Sequence, residues 1–262
     1  MNWIEALLLG LLQGLTEFLP VSSSGHLEIG KVLLGVNAEN NLAFTVVVHG
    51  ATVLSTIIVF RKDIWELLKG LFCFQWNEST QYVSKIAISM IPIGIVGVFF
   101  KDEVEAIFNT DRILFVVGFM LLITATFLAF TYYAKQKEKE ISFRDALLIG
   151  IAQTFAILPG ISRSGATIAT GLLLKNKKSE VAKFSFLMVL VPIIGENILS
   201  IFKGTYTSQG SIELMPLVVG FIGAFLSGLL ACSWMIKLVK KGKLIYFAIY
   251  CLLIGLIAIF AA

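Results

Sequence analysis

Long apolar runs alternate with short polar breaks along the whole chain, and no polar stretch is long enough to fold by itself. A bilayer core of about 30 Å needs about 20 apolar residues in a helix. Six runs meet that length and predict transmembrane helices: residues 42–60, 81–100, 113–133, 184–202, 214–236 and 244–261. Two more apolar regions are interrupted. Region 3–35 carries Pro20 and then Ser22, Ser23, Ser24 and Gly25; region 146–175 carries Pro159, Gly160 and then Ser162, Arg163, Ser164 and Gly165. Each half is short for a span and each break is polar. This predicts re-entrant hairpins, which enter, turn at mid-depth and leave on the same side. Irregular backbone at that depth is tolerated only against protein or a wet cavity. Residues 63–76, DIWELLKGLFCFQW, are amphipathic and predict an interfacial helix.

Composition supports a membrane reading. The 262 residues are 57% hydrophobic and 15% charged, with a mean hydropathy of +0.89, whereas a soluble domain carries roughly 25% charged residues. That excludes a cytosolic enzyme, a disordered chain and a nucleic-acid binder. Cys73, Cys232 and Cys251 are isolated, which fits neither a disulfide framework nor a zinc site. The opening MNWIEALLL has no basic segment ahead of its apolar run and is not expected to be a cleaved signal peptide.

The two interrupted regions resemble each other. Ala6, Leu7, Leu8, Gly10 and Gln13 recur as Ala146, Leu147, Leu148, Gly150 and Gln153, and Ser22, Ser24 and Gly25 recur as Ser162, Ser164 and Gly165. The expectation is an internal duplication, residues 1–140 and 141–262, each copy holding one hairpin and three spans. Three spans are an odd number, so the second copy is upside down: an inverted-topology repeat within one all-α membrane domain. The basic residues favour one orientation. With the loop after the first span inside, sixteen of the 21 Lys and Arg lie inside. Outside are Lys31, Lys101, Arg112 and Lys203, and Arg163 stays in the membrane. Both termini then lie outside.

Ionisable groups at mid-membrane are costly and by default functional. The first hairpin supplies Gln13, Glu17, Ser22, Ser23, Ser24 and His26; the second supplies Gln153, Ser162, Arg163, Ser164 and Thr167. Gln13 and Glu17, four apart, share a helix face. Each Ser-rich turn opens a half-helix whose N-terminus favours an anion. The planar fork of Arg suits phosphate. A carboxylate beside a phosphate would repel it unless it serves as a base or holds a hard cation such as Mg²⁺ or Ca²⁺. The residues therefore point to a phosphorylated ligand, processed or moved within the membrane. Structural readings stand beside this. Glu17 and Arg163 could form a simple ion pair, the serines could be helix caps, and His26 a core histidine. Gln13 and Gln153 could be interhelical glue. His49 has both readings open, and Glu196 has no evident partner.

The stretches QGLTEFLPVSSSGHL at 13–27 and LPGISRSGATI at 158–168 resemble the signatures of the bacterial undecaprenyl-diphosphate phosphatase family, also called the bacitracin-resistance protein family. The resemblance implies hydrolysis of undecaprenyl diphosphate to undecaprenyl phosphate and inorganic phosphate in the bacterial cytoplasmic membrane. It also implies bacitracin resistance, a site opening outward, and a requirement for Mg²⁺ or Ca²⁺. It makes Glu17, Ser23, His26 and Arg163 the catalytic candidates, with Glu17 as metal ligand. Ser22, Ser24, Ser162, Ser164, Thr167 and Gln13 then surround the phosphates. Gln13 stands where some members have Glu, which the pattern allows, and Thr45 stands where members often have Glu, so a role for that Glu does not carry over. The partners expected are a polyprenyl diphosphate and membrane lipids, and the apolar surface would permit a homodimer. The competing classes are a lipid-carrier flippase or transporter on the same repeat, and a non-catalytic lipid-binding scaffold.

Overall fold

The computed structural model describes residues 1–36, 42–100, 112–134, 139–202 and 214–262, together with Glu103, Ile107 and Thr110. Four lysines used above for orientation, Lys101, Lys135, Lys137 and Lys203, lie outside the described residues, as does the side chain of Glu196. The described chain is helical: α1 Trp3–Phe18, α2 Ser23–Leu34, α3 Leu42–Val59, α4 Arg61–Phe72, α5 Glu78–Phe99, α6 Ile113–Tyr132, α7 Phe143–Phe155, α8 Arg163–Leu173, α9 Lys178–Met188, α10 Leu190–Phe202, α11 Leu214–Lys241 and α12 Ile245–Phe260. Among these residues there is no strand, only an isolated bridge between Lys139 and Asn176.

Four helices are long and apolar enough to cross a membrane: 78–99, 113–132, 178–199 and 214–241. A fifth is reached if α3 and α4, bent by 77° at their junction, count as one. The chain is thus a multi-pass membrane protein. Several boundaries differ from those expected. The span expected at 184–202 starts at Lys178 and breaks at Val189. Pro192 explains the break, since it has no N–H for the Met188 carbonyl and its ring crowds that carbonyl. The final helix, α12, has 16 residues and rises only about 24 Å. The amphipathic segment is helical only to Phe72, and no residue of α4 is buried.

Packing is driven by small residues where backbones meet. α1 lies along α11, and α7 lies along α5. A Cβ on Gly10 would strike the backbone of Gly220, and one on Gly150 the backbone of Ser89. Without a water-driven hydrophobic force between helices in lipid, such close approach is what holds them together. Larger side chains fill the centre. Phe186 of α9 packs edge-on against Phe18 of α1, with ring centroids 5.7 Å apart, and also faces Phe60. The periphery is openly apolar: Leu230 is 73% exposed and Phe99 72%, a surface suited to lipid rather than water.

Some helix starts are capped by side chains. Asn2 with Glu5, and Ser142 with Asp145, each form a reciprocal capping box. Asp145 also receives Lys139 Nζ at 3.0 Å. Burial alone would raise its pKa, but the Lys139 and Ser142 bonds outweigh this and hold it below the usual value of 3.8. A lowered carboxylate stabilises the fold above its ordinary pKa, and that contribution is lost as pH falls through the lowered value. Asp145→Asn is therefore expected to reduce the melting temperature at neutral pH, with the gap to wild type closing in acid. Gly150→Val is expected to cost about 1–3 kcal/mol or more through overpacking. Gly94→Ala, which meets nothing within 4 Å, is expected to leave detergent melting curves unchanged.

Candidate active site

The site is assembled where the two hairpin turns touch. In the first turn Ser22 caps α2, its Oγ accepting from the Gly25 N–H at 3.2 Å, with backbone φ of 70°. A non-glycine residue with positive φ is uncommon and costs conformational energy. In the second turn Ser162 caps α8, its Oγ accepting from the Gly165 N–H at 3.0 Å. Thr124 of α6 braces this turn. Its hydroxyl accepts from the Ser162 N–H at 3.0 Å and donates to the Gly160 carbonyl at 3.1 Å. Gly160 has φ of 101°, a conformation that favours glycine. The turns then meet directly. A Cβ on Gly25 would lie 3.1 Å from the Gly160 Cα, and Ser164 Oγ donates to the Leu19 carbonyl at 3.1 Å.

Glu17, one turn before the first break, is the hub. Its side chain is only 6% exposed. Oε2 accepts from Ser23 Oγ at 2.6 Å and from Gln13 Nε2 at 2.9 Å. His49 of α3 sets its Nε2 3.7 Å from the same oxygen, while its Nδ1 is 2.8 Å from the Thr45 carbonyl. Oε1 faces the Arg163 guanidinium at 3.9 Å, too far for a hydrogen bond. Arg163 is therefore attracted to Glu17 without being spent on it. Glu17, Arg163, Ser164 and Thr167 line one cleft with Ser185 and Thr52, and its walls are Phe18, Val53, Phe186 and Val189. The lining thus joins one acidic and one basic side chain and several hydroxyls to apolar side chains.

The structure brings together Gln13, Glu17, Ser23, Arg163, Ser164 and Thr167. Ser22 and Ser162 are committed to capping, and Ser24 Oγ lies 3.3 Å from Ser22 Oγ. Thr167 is held by Ser185 of α9, oxygen to oxygen at 2.5 Å. His26 turns elsewhere: Nδ1 bonds the Ser22 carbonyl at 2.8 Å and Nε2 meets Tyr250 Oη at 2.9 Å. Among the described residues, no hydrogen bond joins the His26 ring to Ser23. Sequence reasoning missed Thr124, Ser185 and Tyr250 and left His49 open. For Thr124 and His49 the signal was a polar residue deep inside an apolar helix.

The fold and this cluster define a multi-pass membrane protein built around a buried, serine-capped polar cleft. The chain belongs to the family described as "Bacitracin resistance protein BacA", whose model matches residues 6–257. Its relatives include an undecaprenyl-diphosphatase of Bacteroides fragilis, 60% identical over 99% of this chain and 98% of that one. Another, from Parabacteroides distasonis, has the same name and is 60% identical over the same shares. A third, from Methanococcus vannielii, is 40% identical over 98% of this chain and 99% of its own.

Thr124→Val would leave both the Ser162 N–H and the Gly160 carbonyl without their partner. The expected cost is about 1–3 kcal/mol for each unsatisfied group, read as a lowered melting temperature of the purified protein.

Proposed function

We propose that this chain hydrolyses undecaprenyl diphosphate to undecaprenyl phosphate and inorganic phosphate within the membrane. Family membership and relatives of that name covering nearly the full chain support the activity. The observation that supports this site is the 2.6 Å bond from Ser23 to Glu17, the residue that lines a cleft together with Arg163.

The diphosphate enters the cleft with its prenyl tail against the apolar walls. Arg163 and the N-termini of α2 and α8 hold its charge. Phosphoryl transfer depends mainly on positioning and charge neutralisation. Ser23 Oγ attacks the terminal phosphorus and its proton passes to Glu17. The bond from that phosphorus to the bridging oxygen breaks, the bridging oxygen takes the proton from Glu17, and undecaprenyl phosphate leaves. Water then cleaves the phosphoserine, giving its proton to the freed Glu17 carboxylate; Glu17 returns that proton to Ser23 Oγ as inorganic phosphate is released. Gln13, bonded to Glu17 at 2.9 Å, helps keep the carboxylate in place, with His49 nearby.

A divalent cation fits the donors present. The described residues hold no group of three or more His, Cys, Asp or Glu side chains suited to a metal, so protein alone would not complete a site. Glu17 and the buried Gln13 Oε1, which has no hydrogen-bond partner among the described residues, are hard oxygen donors. Mg²⁺ commonly takes one or two carboxylates plus substrate phosphate. When bound, such an ion would neutralise charge on the diphosphate.

The inverted repeat, 1–140 and 141–262, is part of the same proposal. Supporting it, the capping boxes start at Asn2 and Ser142 and the cap serines are Ser22 and Ser162. The hydroxyl pairs Ser22–Ser24 and Ser162–Ser164 have equal 3.3 Å spacing. The packing of α1 on α11 has its counterpart in α7 on α5. The excess of basic residues on one side supports a site opening outward and both termini outside.

Purified wild type is expected to release phosphate from undecaprenyl diphosphate with Mg²⁺ or Ca²⁺ and to stop with EDTA. Absence of release from folded protein would refute the activity. Ser23→Ala is expected to be inactive, and a rapidly quenched wild-type reaction is expected to contain phosphoserine at 23. An active Ser23→Ala would leave water as the nucleophile. Arg163→Lys is expected to fall at least about tenfold, since a point charge does not reproduce the fork.

A further inference from the structure

α12 is strongly apolar, IYFAIYCLLIGLIAIF, so a hydroxyl in its middle calls for a partner. Tyr250 has one. Its ring stacks on His26 with centroids 5.6 Å apart and planes 12° apart, and its Oη lies 2.9 Å from His26 Nε2. His26 is only 6% exposed, while Tyr250 is 40% exposed. The other ring nitrogen, Nδ1, lies 2.8 Å from the Ser22 carbonyl. A carbonyl only accepts, so Nδ1 carries the proton. In the neutral ring Nε2 is then the acceptor and the phenol is the donor. Both nitrogens and one face of the imidazole are fixed. None of the ion pairs among the described residues involves His26.

We propose that Tyr250 is a positioning residue for the phosphatase site: its hydroxyl fixes the His26 ring one helical turn from Ser23. This rests on the reading of the Ser23–Glu17 cleft as the reaction site. Residues three apart on a helix are neighbours, so the ring's position shapes the surface beside Ser23. Stacking alone could be done by Phe; what the hydroxyl adds is a single hydrogen bond at Nε2 that holds the ring's free edge, while the Ser22 carbonyl sets the tautomer. The bond also ties α2, which carries the attacking serine, to α12 of the other half of the chain.

The test is Tyr250→Phe in the full-length protein, which keeps the stacked ring. For undecaprenyl diphosphate, kcat is expected to drop about five- to tenfold, the size of one net hydrogen bond, with KM unchanged. In a His26→Gln background the same change is expected to have no further effect. The chain has two histidines, so ¹⁵N-histidine labelling reports the ring directly. The His26 Nε2 resonance is expected to move in Tyr250→Phe while Nδ1 stays. An unmoved Nε2 resonance, an unchanged kcat, or an equal slowing in the His26→Gln background would overturn the proposal. A wild type that releases no phosphate would instead overturn the phosphatase reading, and the Nε2 resonance would still decide whether the phenol holds the ring.

Discussion

The structure depends on one contact, the seam where two helix N-termini are pressed together inside an apolar slab. Gly25 and Gly160 touch there with no side chain between them, and Ser164 ties the second turn to the Leu19 carbonyl of the first. Each helix start carries about half a positive charge. Bringing two together, with Arg163 beside them, is unfavourable in a low dielectric unless an anion is present. Glu17 supplies one negative charge and a phosphate would supply more. The same arrangement that strains the resting protein therefore favours a charged substrate.

Much of the remaining fold serves to hold that seam. α1 and α7 each lead into a turn, and each is locked against a long helix at a glycine, Gly10 on α11 and Gly150 on α5. Thr124 braces one turn from α6, and Phe186 packs edge-on against Phe18 along the wall of the cleft. Small residues permit backbone contact, and backbone contact holds the two helix–turn–helix units in place. At the opposite edge α4 leaves α3 at 77°. It is joined to α9 by the Asp63–Lys183 ion pair, and its Trp65 and Phe72 stay exposed.

What was legible in the sequence was local. Both breaks, the serine caps and the Gln13–Glu17 pair follow from spacings of six residues or fewer, where chain connectivity dictates geometry. The all-helical membrane character follows from the length of apolar runs. The contacts of Thr124 with Ser162, Thr167 with Ser185 and His26 with Tyr250 join residues 38, 18 and 224 apart. Their pairing is set by how helices pack, which periodicity does not reveal. The same reason hid the role of His49, whose distance to Glu17 depends on α3 crossing α1. Span boundaries shifted where local chemistry overrode hydropathy: Pro192 broke one helix, and α9 continued back to Lys178 through residues that are not apolar.

The most direct test of a reaction driven by the buried carboxylate is the phosphate release rate of Glu17→Gln, measured beside its melting curve. The substitution keeps the shape of the side chain and removes its charge and basicity. The result expected is a folded protein that releases no phosphate from undecaprenyl diphosphate. Release at the wild-type rate from that folded variant would contradict a reaction centred on Glu17.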